Sequence, residues 1–265
     1  MRVKIQASLN YHFYQPADVI LSLEAIRAHD QFIMSDQLIV TPPSALVRAD
    51  GPELLGRRQW MHAQGDILLT YEALVDVTRG PVNIAGLAET PRRELSYDVI
   101  RYLMPSRYCE SDRLAPFAES RFSGSQGGDM VLNMAQWINE NISYTPGASN
   151  ETTTAADTFM LRRGVCRDYA HMLISFARAM GIPARMVSAY APALDPPDFH
   201  AVVEVWLANA WHLIDPTRMA SESNLVRIAA GRDATDISFM TIFGAAELRD
   251  QWVAVSVVAP EAPPT

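Results

Sequence analysis

The first hundred residues alternate between apolar and polar side chains in the way that half-buried β-strands do. From residue 3 to residue 13 the odd positions are apolar or aromatic and the even positions are polar. Side chains two apart share one face of a strand, so this segment is expected to bury one face. Similar segments at 19–25, 37–40, 59–63 and 67–77 are separated by turn residues, which favours an all-β, sandwich-like domain over residues 1–100. The triplet Gln64-Gly65-Asp66 predicts a hairpin between the last two segments.

Beyond residue 128 the apolar side chains recur at helical spacing instead. One predicted helical face carries Val131, Met134, Ala135, Ile138 and Ile142. Asp129 is the predicted N-cap of that helix. Thr154 and Asp157 have the spacing of a capping box for a second helix, which Gly164 ends. A third helix is predicted from Cys166 to about Met180.

Strand-like segments follow this third helix. They cover residues 184–190, 200–207 and 211–214, and the tail at 238–258 is also strand-like. Helices followed by neighbouring strands are typical of the α+β class, so residues 101–265 are predicted to form an α+β domain.

Composition and charge exclude several classes of protein. The 265 residues carry a net charge of −8, so the basic surface that nucleic-acid binding requires is missing. Two cysteines do not make a disulfide framework, which indicates free thiols in a reducing compartment. The chain starts with a strand pattern rather than a secretory signal, and its apolar runs are shorter than a membrane span. We therefore expect a cytoplasmic protein that acts on neither nucleic acid nor membranes.

Three residues in order have the chemistry of a thiol nucleophile, its base and the group that orients the base. Cys166 follows Gly164-Val165 at the predicted start of a helix, where unpaired N–H groups and the helix dipole favour thiolate. His200 begins a predicted strand and Asp215 ends the next one. A lone cysteine is more often a buried, inert residue, but this order of residue types favours catalysis.

The predicted hairpin brings the last two of these residues together. If Ala208 and Asn209 form a two-residue turn, Leu207 lies opposite Ala210, and Val202 lies opposite Asp215. His200 is two residues from Val202 on the same face, so it becomes a diagonal neighbour of Asp215. A one-residue change of register would turn Asp215 to the opposite face.

The remaining candidates surround these three residues. The backbone N–H of Cys166 is one natural donor to an oxyanion. Trp137, Asn141 and Tyr144 are candidates for the second donor. Arg167, next to the thiol, either supports a thiolate or faces solvent, and Asp168 and His171 are expected to support the site from behind.

The sequence has no pattern that predicts a metal or a cofactor. Cys166, His171, His200 and Asp215 could ligate zinc in principle, but their spacing resembles no zinc pattern. The glycine-rich loops that bind phosphates are also missing from the sequence. We therefore expect no metal and no cofactor.

The stretches at 163–171, 179–185, 200–205 and 214–217 occur in the order found in a known family. They resemble the bacterial transglutaminase-like cysteine peptidases of the transglutaminase-like superfamily. The stretch at 102–110 and the β-rich start resemble members that carry an N-terminal β domain. Two positions depart from the common pattern, with Arg167 where Gln is frequent and Val202 where Trp is frequent.

This resemblance implies a papain-like core, in which a central helix carrying the cysteine packs on an antiparallel sheet. It implies that Cys166, His200 and Asp215 form a triad that works through a thioester. Hydrolysis of an amide or peptide bond in a peptide, a protein or a small amide is the leading expectation. Two alternatives stay open: a transglutaminase that joins glutamine to amines, and a binding module without catalysis. The sequence makes no prediction of an oligomeric state.

Overall fold

The computed structural model describes residues 1–49, 51 and 55–258. The strands are β1 (Arg2–Leu21), β2 (Gln31–Thr41), β3 (Val47–Ala49), β4 (Arg58–Val77), β5 (Ser143–Tyr144), β6 (Arg163–Gly164), β7 (Ala184–Tyr190), β8 (Phe199–Leu207), β9 (Ala210–Ile214), β10 (Val226–Gly231), β11 (Met240–Phe243) and β12 (Ala246–Val258). The helices are α1 (Tyr97–Ile100), α2 (Ser111–Phe122), α3 (Gly127–Asn141), α4 (Ala155–Leu161), α5 (Cys166–Ala179) and α6 (Ala234–Ile237).

Two antiparallel sheets organise the molecule. The first sheet has the order β11-β1-β4-β2, with β12 also on β1 and β3 also on β4. The second sheet has the order β10-β7-β8-β9. The strand-rich N-terminal region is thus confirmed. Its strands form one sheet, and the last two strands of the chain return to this sheet beside β1.

One face of the first sheet packs against the second sheet. Val3 and Ile5 of β1 share a buried cluster with Val226 and Ile228 of β10. Tyr71 of β4 stacks on Tyr190 of β7, with ring centroids 6.0 Å apart. A shared apolar core of this kind fixes the two sheets together because separating them would expose it to water.

A line of buried charges crosses the same interface. Asp30, before β2, accepts hydrogen bonds from Arg79 and from Arg227, each at 2.7 Å. Arg227 also donates to Glu204 of β8 at 2.9 Å, and Arg185 of β7 donates to the same carboxylate at 2.7 Å. Burial alone would raise the pKa of Glu204, but the two guanidinium groups outweigh it and lower the pKa.

The helix α5 lies at the centre of a large apolar cluster that the second sheet forms with the helices. Most of its length is buried, and it packs on β7 and β8 and on the helices α2, α3 and α4. This confirms the predicted fold, in which a central helix that begins with cysteine lies on an antiparallel sheet. The first sheet combines the N-terminal strands with β12, which comes late in the sequence. The predicted domain boundary at residue 100 stays a prediction.

Three local predictions were wrong. The residues around Gly65 do not turn the chain: β4 is continuous, and Gly65 (φ +71°) lies beside an irregularity in the pairing with β1. Asp129 is not an N-cap, because α3 begins two residues earlier, and its carboxylate instead accepts from the N–H of Gly86 at 3.1 Å. Gly164 does not end the helix α4, which stops at Leu161 and is followed by Arg162 in the left-handed conformation (φ 57°). The helix α2, which contains Pro116, was not predicted. The capping box of Thr154 and Asp157 is confirmed.

Candidate active site

Cys166 is the first residue of α5, and the backbone before it is held on two sides. Gly164 pairs with Tyr144 in the short parallel bridge of β5 and β6. The carboxylate of Asp168 accepts a hydrogen bond from the N–H of Val165 at 2.8 Å. A Cβ atom at Gly164 would lie only 2.6 Å from the Cβ of Asp168, so this close approach requires glycine. The thiol is free and partly exposed.

The hairpin of β8 and β9 has the predicted register. Ala208 and Asn209 form its turn with φ of 48° and 61°, the left-handed values that a type I′ turn requires. Leu207 lies opposite Ala210, which confirms the predicted pairing at the turn. As a result, His200 and Asp215 meet, and His200 Nε2 lies 2.9 Å from Asp215 Oδ2.

Asp215 is buried and its carboxylate is fully occupied. Its Oδ1 accepts from the N–H of Thr217 at 2.9 Å and from the hydroxyl of Thr217 at 2.7 Å. Its Oδ2 accepts from the N–H of Ala220 at 2.9 Å as well as contacting His200. Burial raises the pKa of Asp215, but these hydrogen bonds and the imidazole outweigh it and lower the pKa.

His200 lies between this carboxylate and the thiol. Burial lowers the pKa of His200, since water no longer solvates the imidazolium. Asp215 and the neighbouring Cys166 sulfur outweigh the burial and raise the pKa to about 10. The second ring nitrogen, Nδ1, is buried and has no hydrogen-bond partner among the described residues. It is therefore free to exchange a proton with a group in the site.

Tyr144 approaches the cysteine from the neighbouring strand. Burial and the negative charge of the Cys166 sulfur raise the pKa of Tyr144 to about 12, although the N–H of Cys166 acts in the opposite direction. The phenol thus keeps its proton at neutral pH, and it lies beside both the backbone N–H and the sulfur of Cys166. Of the three side chains considered as a second oxyanion donor, Tyr144 is the one at the cysteine.

Trp137 and Asn141 lie elsewhere. Trp137 is buried in an aromatic cluster, with its ring 4.9 Å from Phe117 and the guanidinium of Arg162 above it. Asn141 donates to the backbone carbonyl of Trp137 at 2.9 Å and so closes the end of its own helix. Helical spacing correctly predicted that both belong to α3, but the contacts of these two side chains are with groups other than the cysteine.

Arg167 and Asp168 hold a neighbouring loop. Asp168 is fully buried and accepts from the hydroxyl of Ser149 as well as from the N–H of Val165. Arg167 donates to the carbonyl of Asn150 at 2.6 Å and approaches Asp168 at 3.3 Å. These contacts explain how the loop at 149–150 is fixed beside the start of α5.

His171 is one turn further along α5 and is fully buried. Its Nε2 accepts from the N–H of Ala234 at 3.2 Å, and its ring stacks on Tyr108 with centroids 5.1 Å apart. Burial lowers the pKa of His171 to about 3, so the ring is neutral at ordinary pH. His171 therefore positions α6 and Tyr108, both of which border the site.

A cleft of about 500 Å³ opens over Cys166 and His200. Three charged residues, Arg107, Glu151 and Arg167, are part of its lining. The segment at 237–242 adds the apolar side chains of Ile237, Phe239, Met240 and Ile242 to this lining and forms a wall of the cleft. Sequence reasoning missed this wall, because the residues that form it are separated from Cys166 by some seventy positions along the chain.

The part of the chain that the structure describes has neither a metal-binding group nor a membrane-spanning helix. Within it, His, Cys, Asp and Glu residues form no group of three or more that could hold a metal ion. None of the helices placed there is both long and apolar enough to cross a bilayer.

The comparison with known proteins identifies the family. The model of the transglutaminase-like superfamily matches residues 118–216, a segment that contains Cys166, His200 and Asp215. A solved structure from Cytophaga hutchinsonii, provisionally described as a cysteine protease, is 35% identical to this chain, with a TM-score of 0.94. The match covers 100% of this chain and 93% of the Cytophaga chain. The chain belongs to the transglutaminase-like superfamily.

Curated relatives of this superfamily member come from mycobacteria. The uncharacterized protein ML0607 of Mycobacterium leprae is 29% identical over 146 residues, which is 51% of this chain and 52% of the relative. The uncharacterized protein Rv2569c of Mycobacterium tuberculosis is 28% identical over 125 residues, 41% of this chain and 40% of the relative. The matched part of the chain thus spans about half the length of these relatives or less.

Proposed function

We propose that this protein is a thiol-dependent acyl-transfer enzyme that hydrolyses amide or peptide bonds. The observation that carries the proposal is the position of His200, which contacts Asp215 through Nε2 at 2.9 Å and lies beside the Cys166 sulfur. A base oriented by a buried carboxylate and adjacent to a thiol is the arrangement that nucleophilic catalysis requires. The description of the Cytophaga relative as a cysteine protease supports the same activity.

In the acylation step, the Cys166 sulfur attacks the carbonyl carbon of the substrate. The C–S bond forms while the electron pair of the C=O double bond moves to oxygen. The N–H of Cys166 and the hydroxyl of Tyr144 donate hydrogen bonds to this oxyanion. His200 holds the proton of the thiol and gives it to the leaving amine as the C–N bond breaks, which leaves a thioester.

In the second step, water attacks the thioester. His200 accepts a proton from the water, a second oxyanion forms at the same position, and the C–S bond breaks to release the acid. The sulfur leaves as a thiolate beside the His200 imidazolium, which restores the starting ion pair. Asp215 keeps its negative charge throughout, orients the ring and stabilises the imidazolium. The substrate is a peptide, a protein or a small amide, and the reaction uses no cofactor.

Hydrolysis is favoured over transamidation because the cleft above Cys166 opens to solvent. Water needs no binding site of its own, whereas a transglutaminase must also bind an amine. Incorporation of a fluorescent amine into casein would instead indicate the transglutaminase reaction.

The direct test is alkylation of Cys166 by iodoacetamide at neutral pH, followed by mass spectrometry of the labelled peptide. We expect faster labelling of Cys166 than of glutathione, and a return to the rate of an ordinary thiol in the His200→Ala variant. Cys109 serves as the internal control, since its thiol is fully buried and burial raises its pKa to about 12. Equal rates in wild type and His200→Ala would contradict the proposal and favour a binding module.

A further inference from the structure

The outer wall of the cleft comes from the strand that joins the second half of the chain to the first sheet. The segment at 237–242 lines the cleft, and its last three residues belong to β11. β11 pairs with β1, with Met240 opposite Leu21 and Ile242 opposite Val19. Through β11, the first sheet therefore contributes to the cleft that holds the Cys166 thiol.

This wall is apolar and incompletely covered. Phe239 stacks on Phe199, with ring centroids 4.6 Å apart and planes inclined by 11°. Phe199, Phe239 and Ile242 all line the cleft, and each keeps part of its surface exposed. Apolar surface at the edge of a cavity is stabilised when another apolar group covers it.

The apolar wall begins beside the reacting groups. Phe199 directly precedes His200 in β8, and both residues line the same cleft as Cys166. Neighbouring side chains of a strand point to opposite faces, but both of these line the cleft, so a side chain bound against Phe199 and Phe239 occupies the cleft that holds the thiol.

We infer that the wall formed by Phe199, Phe239, Met240 and Ile242 is a specificity site for substrates that carry a bulky apolar side chain next to the reacting carbonyl. This inference rests on the proposed function and narrows its substrate class to apolar peptides and amides. It also assigns the first sheet a share in substrate selection, because β11 is one of its strands.

A set of thiol-reactive amides tests the inference through the thiol itself. N-iodoacetyl-phenylalaninamide, N-iodoacetyl-glycinamide, N-iodoacetyl-lysinamide and N-iodoacetyl-aspartamide differ mainly in the side chain beside the reactive group. The second-order rate of Cys166 alkylation is measured for each and divided by its rate with glutathione. We expect the phenylalanine reagent to react about tenfold faster than the glycine reagent, in keeping with burial of an aromatic side chain.

Variants of the wall locate the preference. Phe239→Ala should reduce the ratio of the phenylalanine rate to the glycine rate to about two, because most of the apolar contact area is then lost. Phe243→Ala is the matched control, since Phe243 ends the strand that follows Phe239 but is 57% exposed and stacks on Trp60 instead. Ile242→Thr provides a milder change of the same wall if Phe239→Ala does not fold.

The outcomes separate the inference from the proposed function. Equal rates for the phenylalanine and glycine reagents, or fastest labelling by a charged reagent, would overturn the inference while leaving the catalytic proposal in place. An unchanged ratio in both wall variants would overturn it as well. Loss of the dependence on His200 in labelling by plain iodoacetamide would instead refute the catalytic proposal.

Discussion

Tyr144 lies beside Cys166 because it pairs with Gly164 in a two-residue parallel bridge. The N–H of Thr145 donates to the carbonyl of Gly164 at 2.8 Å and fixes the bridge one residue further along. The chain then turns at Val165 and enters α5 at Cys166. A contact between two short segments thus places a phenol next to the N–H group at the start of a helix.

Replacing Tyr144 by Phe should slow catalysis more than it slows alkylation of the thiol. Tyr144→Phe removes one donor to the oxyanion, and the loss of one such donor lowers kcat about 100-fold or more in other enzymes. Alkylation by iodoacetamide forms no oxyanion, so its rate should change much less. Kinetics with a substrate found by screening apolar peptide amides would measure kcat. Tyr97→Phe, at a side chain that is 83% exposed, is the control.

A similar loss in the alkylation rate and in kcat for Tyr144→Phe would show that the phenol acts on the thiol itself. That result would remove Tyr144 from the oxyanion site.

The pH profile of kcat/KM should reveal the link between His200 and Asp215. Because the pKa of His200 is raised to about 10, the imidazolium persists at neutral pH and activity should fall only on approach to that pH. In Asp215→Asn the negative charge is lost while burial still lowers the pKa, so the alkaline limb should move to lower pH. We also expect kcat to fall about 10⁴-fold, because an amide cannot satisfy Thr217, Ala220 and the ring N–H together. An alkaline limb at the same pH in both proteins would contradict the assignment to His200.

Gly164 should resist substitution for a steric reason. A Cβ atom there would lie 2.6 Å from the Cβ and 2.8 Å from Oδ2 of Asp168, which is fully buried and cannot retreat. We expect Gly164→Ala to cost about 1–3 kcal/mol in the free energy of unfolding and to slow labelling of Cys166. Gly124→Ala is the matched control, since a Cβ at Gly124 has no neighbour within 4 Å. Urea denaturation of both variants measures the difference, and equal stabilities would show that Asp168 can move aside.

The buried charges between the sheets should contribute to stability and not to chemistry. In Glu204→Gln, Arg185 and Arg227 keep their positive charges in a buried site without the carboxylate that balances them. Breaking a buried pair in this way costs about 3 kcal/mol or more. The exposed Glu72, which accepts from Gln6 at 3.0 Å, provides the control variant Glu72→Gln. Thermal and urea unfolding would measure the loss, and a Glu204→Gln variant as stable as wild type would show that the line of charges is not required.

The parts of the site that the sequence predicted are those set by local rules. The start of α5 at Cys166 follows from a glycine before an amphipathic run, and the register of His200 and Asp215 follows from a two-residue turn. Each of these needs only residues that are close along the chain. For the same reason, the face of α3 that carries Met134 and Ile138 could be predicted to be buried.

The parts that could not be predicted depend on contacts between distant segments. Tyr144, and not Trp137, lies at the cysteine because of the parallel bridge between Tyr144 and Gly164. A bridge of only two residues leaves no recognisable pattern in the sequence. The apolar wall at Phe239 depends on a strand that pairs with β1, more than two hundred positions earlier. Around Gly65, the same residue types that favour a hairpin instead accompany an irregularity within one long strand.

The return of the chain to its first strand has a consequence for biosynthesis. Arg2 pairs with Val258, and Leu21 pairs with Met240, so one edge of β1 has no partner until residues 240–258 have been translated. An unpaired strand edge is prone to join other chains, and pairing over such a separation is slow. If translation ended before residue 240, the released polypeptide would contain Cys166, but it would have an open β1 edge and no β11 beside the cleft. Such a polypeptide would be a target for chaperones. Its thiol would also lack the apolar wall that β11 contributes to the cleft.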